Sequence, residues 1–396
     1  MKINIIFRKF SGLQNSFEKK KDWEPIGSPV LINFIKYLDK RDDLQIILVD
    51  ENKNKTNYLC RKFSFKNLKS TIFIVNKNFF NNQSIFFKIL NNLILLSFII
   101  FKSLFFRPNA HYIDNQNLVS GAILSLISNK VTLRLLGAWG INYEFRNQGF
   151  FSFLRKKFYG FKFKNIICTD DGSNFINILD KNIFSKRTNI HHILNGSQFL
   201  KYRCFSINKN YIKNKFRVIH FGRFDIDKGT HKFISTIHKI IKLNKNIEFL
   251  IFGYGNYFND INQYVKKHNI QRFVKILHKQ NFKQIEQHML RSDLYVSTNI
   301  IGSLSNSSLE VIGYGLPCIF VNTNEDKNHY LKKKLKKNYF YFSEKKFEES
   351  LCNLILKYYN NPQLLKLNSI EIKSKFENKI LNWENRIEIE RNLLLY

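Results

Sequence analysis

A chain of 396 residues with 44% hydrophobic and 15% aromatic content can fill the cores of two globular domains, which excludes a disordered or fibrous polypeptide. Its net charge of +34 predicts attraction to anionic surfaces, membranes or phosphorylated substrates; abundant Lys, Asn, Ile and Phe beside scarce Pro and Ala are what an A+T-rich genome would produce, which discounts nucleic acid as the partner. Cys60, Cys168, Cys204, Cys318 and Cys352 show no CxxC or Cys/His spacing, which speaks against a zinc site and a disulfide framework and for a reducing compartment.

The first residues, 1–7, read as a strand: they lack the apolar core and small-residue cleavage site of a signal peptide, so the expected location is the cytoplasm. Strand-like runs follow at 44–49, 72–75, 111–113, 131–136 and 165–168, with helical patterns starting near Ser28, Ser84, Asn117 and Phe150. Ser28 is the expected N-cap of a helix with Pro29 in its first turn, after a loop containing Gly27. The apolar stretch 85–106 is interrupted by Lys88, Asn91, Asn92 and Lys102, so its longest clean run falls short of the roughly 20 residues of a spanning helix. A buried helix is expected there, with insertion at a membrane surface as the second reading.

A second series begins at Phe216, with strands at 217–221, 248–252, 274–277, 294–297 and 317–321 and helices at 230–242, 256–268, 285–291 and from Ser307. Alternation of this kind marks parallel sheets covered on both faces. The expected fold is α/β: two doubly wound, Rossmann-like domains, 1–198 and 199–375, facing across a cleft that holds the ligand at the carboxyl ends of the strands. Asn195-Gly196 and a Lys/Asn-rich stretch mark the connection. The tail, 376–396, is helical in pattern and joins the first domain, and the cationic run 332–337 reads as a solvated face.

Two segments carry chemistry. The loop Gly302-Ser303-Leu304-Ser305-Asn306-Ser307-Ser308-Leu309-Glu310 runs onto the apolar helical pattern Val311-Ile312-Gly313-Tyr314-Gly315-Leu316-Pro317. Small hydroxyl and amide residues at a helix start present N–H groups at the positive end of the dipole, a cradle for phosphate. Gly222-Arg223-Phe224-Asp225-Ile226-Asp227-Lys228-Gly229 links a strand to a helix, so that Arg223 and Lys228 could neutralise a diphosphate; a basic loop without a ligand is the alternative.

Other clusters carry less. Asp170 and Asp171 are adjacent rather than spaced as a metal-binding DxD, and a loop or N-cap ahead of Gly172-Ser173 accounts for them better. His191 and His192 would point in opposite directions on a strand and are poor joint ligands. Residues 150–164 interleave Phe and Tyr with Lys and Arg; the pattern suits a bilayer interface, stacking on a single-stranded nucleic acid, or an amphipathic helix packed inward through Phe.

In this order the motifs resemble the retaining glycosyltransferases of the GT-B fold, family 4 or group 1, most strongly over 216–322. The resemblance implies that Arg223 and Lys228, within G-R-x4-K-G, bind the donor diphosphate. It places Gly253-Tyr254-Gly255 as the G-x-G turn after the next strand and Asp293 and Ser297 ahead of the donor loop. Glu310, before Gly315-Leu316-Pro317, would bind the donor ribose, compensation of the helix dipole being the alternative. Asn195-Gly196 resembles the turn that ends the first domain, and Trp383 the tryptophan of the helix that crosses back to it. Two positions depart. Gly302 stands where relatives keep a first Glu, leaving backbone amides with Ser303, Ser305 and Asn306 to meet the sugar. Leu136-Gly137 replaces a His-Gly near the reaction centre, where Arg134, Trp139 or Asn142 would contact acceptor or donor unless they only support the core or loop.

The expected function is transfer of a sugar, with retention, from a nucleotide-diphospho-sugar to a glycan or lipid-linked acceptor in bacterial surface polysaccharide synthesis (lipopolysaccharide, O-antigen or capsule), at the inner face of an anionic membrane. Arg223, Lys228 and Glu310 form the expected catalytic set; Gly222, Gly302, Ser303, Ser305, Asn306, Ser307, Ser308 and Leu309 the donor-binding set; Gly27, Arg134 and Gly137 the acceptor side. No metal or other cofactor is expected, the nucleotide-sugar being a co-substrate. Base contacts are expected from 278–282, where no residue decides uridine from guanosine. The rivals are a nucleotide-sugar epimerase or hydrolase of the same fold, active without acceptor, and a non-catalytic module for anionic polymer, marked by salt-sensitive binding.

Overall fold

The structure, a computed structural model, describes all residues but 10–12, 14–16, 18–21, 24, 26–27, 52–57, 81–83, 138–140, 142–148, 173–174, 176–178, 180–182, 203–214, 301–303, 323–330 and 332–333. The chain divides into two units, the first made of Met1–Thr169, Phe175–Ile193 and Trp383–Tyr396, the second of Asp170–Asn174 and Leu194–Asn382.

Among the described residues the first sheet holds eight strands: β1 (Lys2–Arg8), β2 (Asp43–Asp50), β3 (Cys60–Phe63), β4 (Thr71–Asn76), β5 (Ala110–Asp114), β6 (Val131–Leu135), β7 (Asn165–Asp170) and β8 (Asn189–Leu194), in the order β3-β4-β2-β1-β5-β6-β7-β8. It is parallel from β4 to β7, with β3 antiparallel at the edge. The helices of this part are α1 (Pro29–Leu38), α2 (Ile85–Phe106), α3 (Leu118–Ile127) and α4 (Phe150–Tyr159). Those that follow are α5 (Thr230–Leu243), α6 (Phe258–Lys267), α7 (Phe282–Leu290), α8 (Asn306–Tyr314), α9 (Phe347–Asn360), α10 (Gln363–Phe376) and α11 (Trp383–Leu395). Side chains alternate along each strand. Ile3, Ile5 and Phe7 therefore meet Phe34 of α1 and Ile387 of α11 on one face, while Ile6, Ile47 and Val75 meet Leu95 of α2, Ala122 of α3 and Tyr159 of α4 on the other.

The second sheet holds β9 (Phe216–Arg223), β10 (Ile247–Tyr254), β11 (Val274–Leu277), β12 (Leu294–Ser297), β13 (Cys318–Asn322) and β14 (Tyr341–Ser343), in the order β11-β10-β9-β12-β13-β14 and parallel throughout. Its Val218 and Ile251 pack with Ile237 of α5 and Val265 of α6, while Ile219 and Phe252 pack with Met289 of α7 and Leu309 of α8. The order reverses between β9 and β12, as it does between β1 and β5 in the first sheet. In such sheets the crevice for a ligand opens at the carboxyl ends of the strands where the order reverses.

Four expectations change. Ser28 precedes α1 with Pro29 in its first turn but makes no side-chain cap; it is left-handed (φ 30°), and its carbonyl accepts from the Leu31 and Ile32 amides. The tail helix starts at Trp383 because α10 runs to Phe376 and Asn378 turns the chain at φ 68°. Helix α2 is not buried: Phe86, Leu104 and Phe105 are 68%, 66% and 73% exposed. Of its polar residues Asn91 and Ser103 turn inward, Asn91 binding the Phe80 backbone in both directions and Ser103 accepting from Asn4, while Lys88 and Asn92 are exposed.

Arg134 is the fourth. Placed by expectation on the acceptor side, it is 0% exposed. Its Nε pairs with Glu390 of α11 at 2.8 Å, and its other nitrogens donate to the carbonyls of Leu135 and Ile167 and to Thr169. Glu390 also receives Arg386 and the Tyr112 hydroxyl. Burial opposes ionisation of Glu390, but Arg134 and Arg386 outweigh it and hold the carboxyl below its ordinary value. A guanidinium enclosed this way fastens α11 to the first sheet and has no surface to offer an acceptor.

Candidate functional site in the second unit

Three loops meet after β9, β10 and β12, and glycines let them approach. Gly222 ends β9 at φ 157°, and a Cβ there would stand 3.9 Å from the Ser307 Oγ of α8. A Cβ on Gly253 would overlap the Gly222 carbonyl, and one on Gly255 would lie 2.7 Å from the Phe224 amide nitrogen. The G-x-G turn is thus the seat on which the Arg223 loop rests.

Arg223 leaves this seat half-exposed, with its Nη1 2.7 Å from Asp225. The turn Ile226–Lys228 brings the chain to Gly229, left-handed at φ 64°, where a Cβ would stand 2.5 Å from the Thr298 carbonyl oxygen. Thr298 in turn donates to the Lys228 carbonyl at 2.5 Å, and Lys228 Nζ reaches Asn299 Oδ1 at 3.2 Å. The Lys228 loop and the loop after β12 are therefore stitched together. His220 lies beneath them, Nδ1–H donating to the Val296 carbonyl at 2.8 Å and Nε2 accepting from Thr230 at 3.2 Å. Burial draws its pKa down to about 4, so the ring is neutral and adds no charge at physiological pH.

Helix α8 opens on a hydroxyl cluster. Ser305 is its N-cap and accepts from the Ser308 amide at 3.2 Å; its Oγ lies 2.9 Å from that of Ser307 and 3.0 Å from that of Ser308. Ser308 donates to Ser297 at the end of β12, and the Tyr295 hydroxyl, its pKa pushed up to about 12 by burial, donates to Ser307. The Leu309 amide is bonded to the Ser305 carbonyl and its side chain is in the core, which corrects its place in the donor-binding set. The amides of Asn306 and Ser307, the first two of the helix, have no intrahelical acceptor and carry the positive end of the dipole.

Glu310, one turn further on, is 8% exposed. One carboxylate oxygen accepts from the Ser197 hydroxyl at 2.7 Å, the Gln198 amide at 2.7 Å and the Phe199 amide at 3.1 Å. The chain after Asn195-Gly196 lies along α8: Asn195 donates to Asn306 at 2.7 Å, and the Lys201 and Tyr202 amides bond to the Gly313 carbonyl. At Gly313 a Cβ would overlap the Phe199 carbonyl. Gly315 ends the helix in the left-handed conformation, φ 87°, its amide on Val311 and Ile312.

The structure thus gathers Gly222, Arg223, Lys228, Ser305, Asn306, Ser307, Ser308 and Glu310 at the crossing of β9 and β12. Gly27, Gly302, Ser303, Trp139 and Asn142 lie outside the described residues. Gly137 follows β6 in the first unit at φ 148°. Asp293 sits at the opposite end of β12, accepting from the Arg217 amide at 2.8 Å, and so supports strand pairing. Asp170, at the end of β7, accepts from the Gly172 amide, and among the described residues no three His, Cys, Asp or Glu side chains gather around a common point. Beside the expected base loop, His278 stacks on Phe258 at 4.0 Å, and Phe258 on Phe224 at 5.8 Å. Sequence reasoning missed Ser197, His220, Tyr295 and Asn299. Only Asn299 had a signal, as a polar residue two positions after an apolar strand and just ahead of the serine-rich loop.

Residues 205–371 match the family model described as glycosyl transferases group 1. No curated protein sequence matches the chain. Similar solved structures include the sucrose-phosphate synthase of Thermosynechococcus elongatus, at 11% identity over 98% of each chain with a TM-score of 0.66. HepE of Anabaena in complex with UDP is 15% identical over 100% of this chain and 99% of that one, with a TM-score of 0.67. The trehalose-6-phosphate structure from E. coli bound with UDP-2-fluoro glucose is 9% identical over 100% of this chain and 99% of that one, with a TM-score of 0.65. Residues 205–371 thus match the group 1 glycosyl transferases, and the chain as a whole has the GT-B fold of these structures.

Proposed function

We propose that the enzyme transfers a sugar from a UDP-sugar, with retention, to a glycan or lipid-linked acceptor in bacterial surface polysaccharide synthesis, working at the inner face of an anionic membrane. The observation that carries the donor half is the convergence of Arg223, Lys228 and the α8 N-terminus at the crossing of β9 and β12. Negative charge grows on the diphosphate as the glycosidic bond breaks. Fixed cations and helix amides stabilise that charge without reorganising. The exposed Arg223–Asp225 pair is worth little in water and yields the guanidinium to a phosphate at small cost. Glu310 accepts from the ribose hydroxyls, and the departing phosphate oxygen takes the acceptor's proton on the same face of the sugar. This chemistry needs no metal. Uridine as the base is supported by the UDP ligands of HepE and of the E. coli structure.

Replacing Lys228 by Ala is expected to lower kcat/KM for donor turnover by about a hundred- to a thousandfold, the usual loss for one such charge-stabilising group. Unchanged turnover would overturn the diphosphate assignment. Melting temperature should rise with UDP-sugars more than with GDP-sugars, since a ligand that binds only the folded state stabilises it. Release of UDP at the full rate without any acceptor would replace transfer by hydrolysis.

A further inference from the structure

Helix α2 turns much of its apolar surface outward. Phe86, Ile89, Leu93, Phe101 and Leu104 recur three, four or eight residues apart on its outer side and are 54–68% exposed, and Phe105 adjoins them at 73%. The side packed on the sheet holds Asn91 and Ser103 together with Leu95 and Ile99. A helix on a water-soluble domain turns its apolar stripe to the core and its polar residues outward, and single exposed apolar side chains are ordinary. Six exposed apolar side chains on one helix of 22 residues, broken only by Lys88, Asn92 and Ser97, are not. The neighbouring helices also expose apolar side chains, Leu126 of α3 at 70% and Phe153 of α4 at 53%.

Charge selects the medium. Helices α2, α3 and α4 contain Lys88, Lys102, Arg155, Lys156 and Lys157 and no acidic residue. Lys102 packs over the Phe73 ring and Arg155 donates to the Asn115 carbonyl, which leaves Lys88 and Lys157 exposed; apolar side chains beside exposed lysines fit the boundary of an anionic bilayer, where rings enter the acyl region and lysines meet lipid phosphates. By length and composition α2 is also long enough to cross a membrane. It is nevertheless moored along the first sheet, with Asn4 donating to Ser103 at 2.9 Å and Asn91 bonding the Phe80 amide and carbonyl at 3.0 Å each. A helix held this way along its own domain is placed to lie against a surface rather than to cross it.

We infer that the outer face of α2 is the membrane-docking surface of this enzyme, seating the first unit on anionic lipid through Phe86, Leu93, Phe101 and Leu104. This rests on the membrane-apposed part of the function proposed above and names the surface that makes the contact. The test is flotation of the full chain with vesicles of phosphatidylcholine and phosphatidylglycerol, beside vesicles of phosphatidylcholine alone. The wild type is expected to float with the anionic vesicles, and the F86S/F101S/L104S variant to lose at least about tenfold in partitioning with its melting temperature unchanged. Equal partitioning of variant and wild type overturns the assignment to α2 while leaving a membrane-bound enzyme. A wild type that floats with neither vesicle overturns both, without touching donor turnover. A wild-type dimer that the substitutions dissolve, with no lipid binding, makes a second copy of the chain the occupant and also overturns it. Should the variant fail to fold, hydrogen exchange of the wild type decides: α2 amides must slow on adding anionic vesicles, and unaltered exchange there refutes the docking face.

Discussion

The carboxylate of Glu310 lies near the head of α8, and one of its oxygens already accepts three hydrogen bonds from 197–199. The side chain therefore anchors a loop as well as facing the expected ribose, and the two roles separate by substitution. Glu310→Ala would take the acceptor from the Gln198 amide and leave the Phe199 amide only the Ser197 hydroxyl at 3.0 Å, a loss of about 1–2 kcal/mol. Glu310→Gln keeps an oxygen to accept them and should stay within about 1 kcal/mol of wild type, yet hydrogen bonds from a ribose to a neutral amide are weaker than those to a carboxylate. Thermal unfolding alongside donor titration is expected to show the Ala variant impaired in both and the Gln variant impaired in binding alone. A Gln variant that binds donor as tightly as wild type would leave Glu310 as a loop anchor only.

At the scale of elements, α8 works because Gly313 lets 197–202 lie against it. Gly313→Ala would push a methyl group into the Phe199 carbonyl and against Ser197 Oγ, costing about 1–3 kcal/mol as overpacking does. It should also weaken donor binding, because the same segment orients Glu310. Gly149→Ala is the control, since a Cβ there meets nothing within 4 Å; a melting temperature lowered equally by both would refute the packing account. The sequence made these elements legible to different degrees. Alternating and 3.6-residue patterns marked the buried strands and amphipathic helices, and the glycine spacing marked the loops that must touch. Strands β3, β8 and β14 escaped, β3 a charged, half-exposed edge and β14 three residues long, and so did helices α9 and α10. The partners of Arg134 and Glu310 escaped for another reason: Glu390 and 197–199 are far along the chain, and only the fold brings them near. The outward face of α2 escaped because composition shows that a helix is apolar but not which side meets the sheet.

Across the whole molecule, buried titratable groups distribute unequally between the units, and pH should expose the difference. Burial lowers His220 in the second unit and His111 in the first to a pKa of about 4. Each folded ring resists a proton that the unfolded chain accepts near pH 6.5. Stability is lost as pH falls from 6.5 toward 4, by about 3 kcal/mol for each at roughly 1.4 kcal/mol per pH unit. Burial also lowers His231, His238 and His288 in the second unit and His191 in the first. Asp114, at the end of β5, acts in the opposite direction. Burial raises it to about 6, although the amides of Arg8 and Asn117 and the Asn117 side chain favour its charged form. As pH falls through 6 the folded carboxyl takes its proton before the unfolded one does, which stabilises the first unit and offsets His111 there. The carboxyls held below their ordinary values, Asp42, Glu390 and Glu348, contribute only at more acid pH. Between pH 7 and 5 the second unit should therefore lose more stability than the first. Hydrogen exchange, corrected for intrinsic rate, should show protection falling further in β9, β10 and β12 than in β5, β6 and β7; an equal fall, or a larger one in the first sheet, would contradict this assignment of the buried histidines.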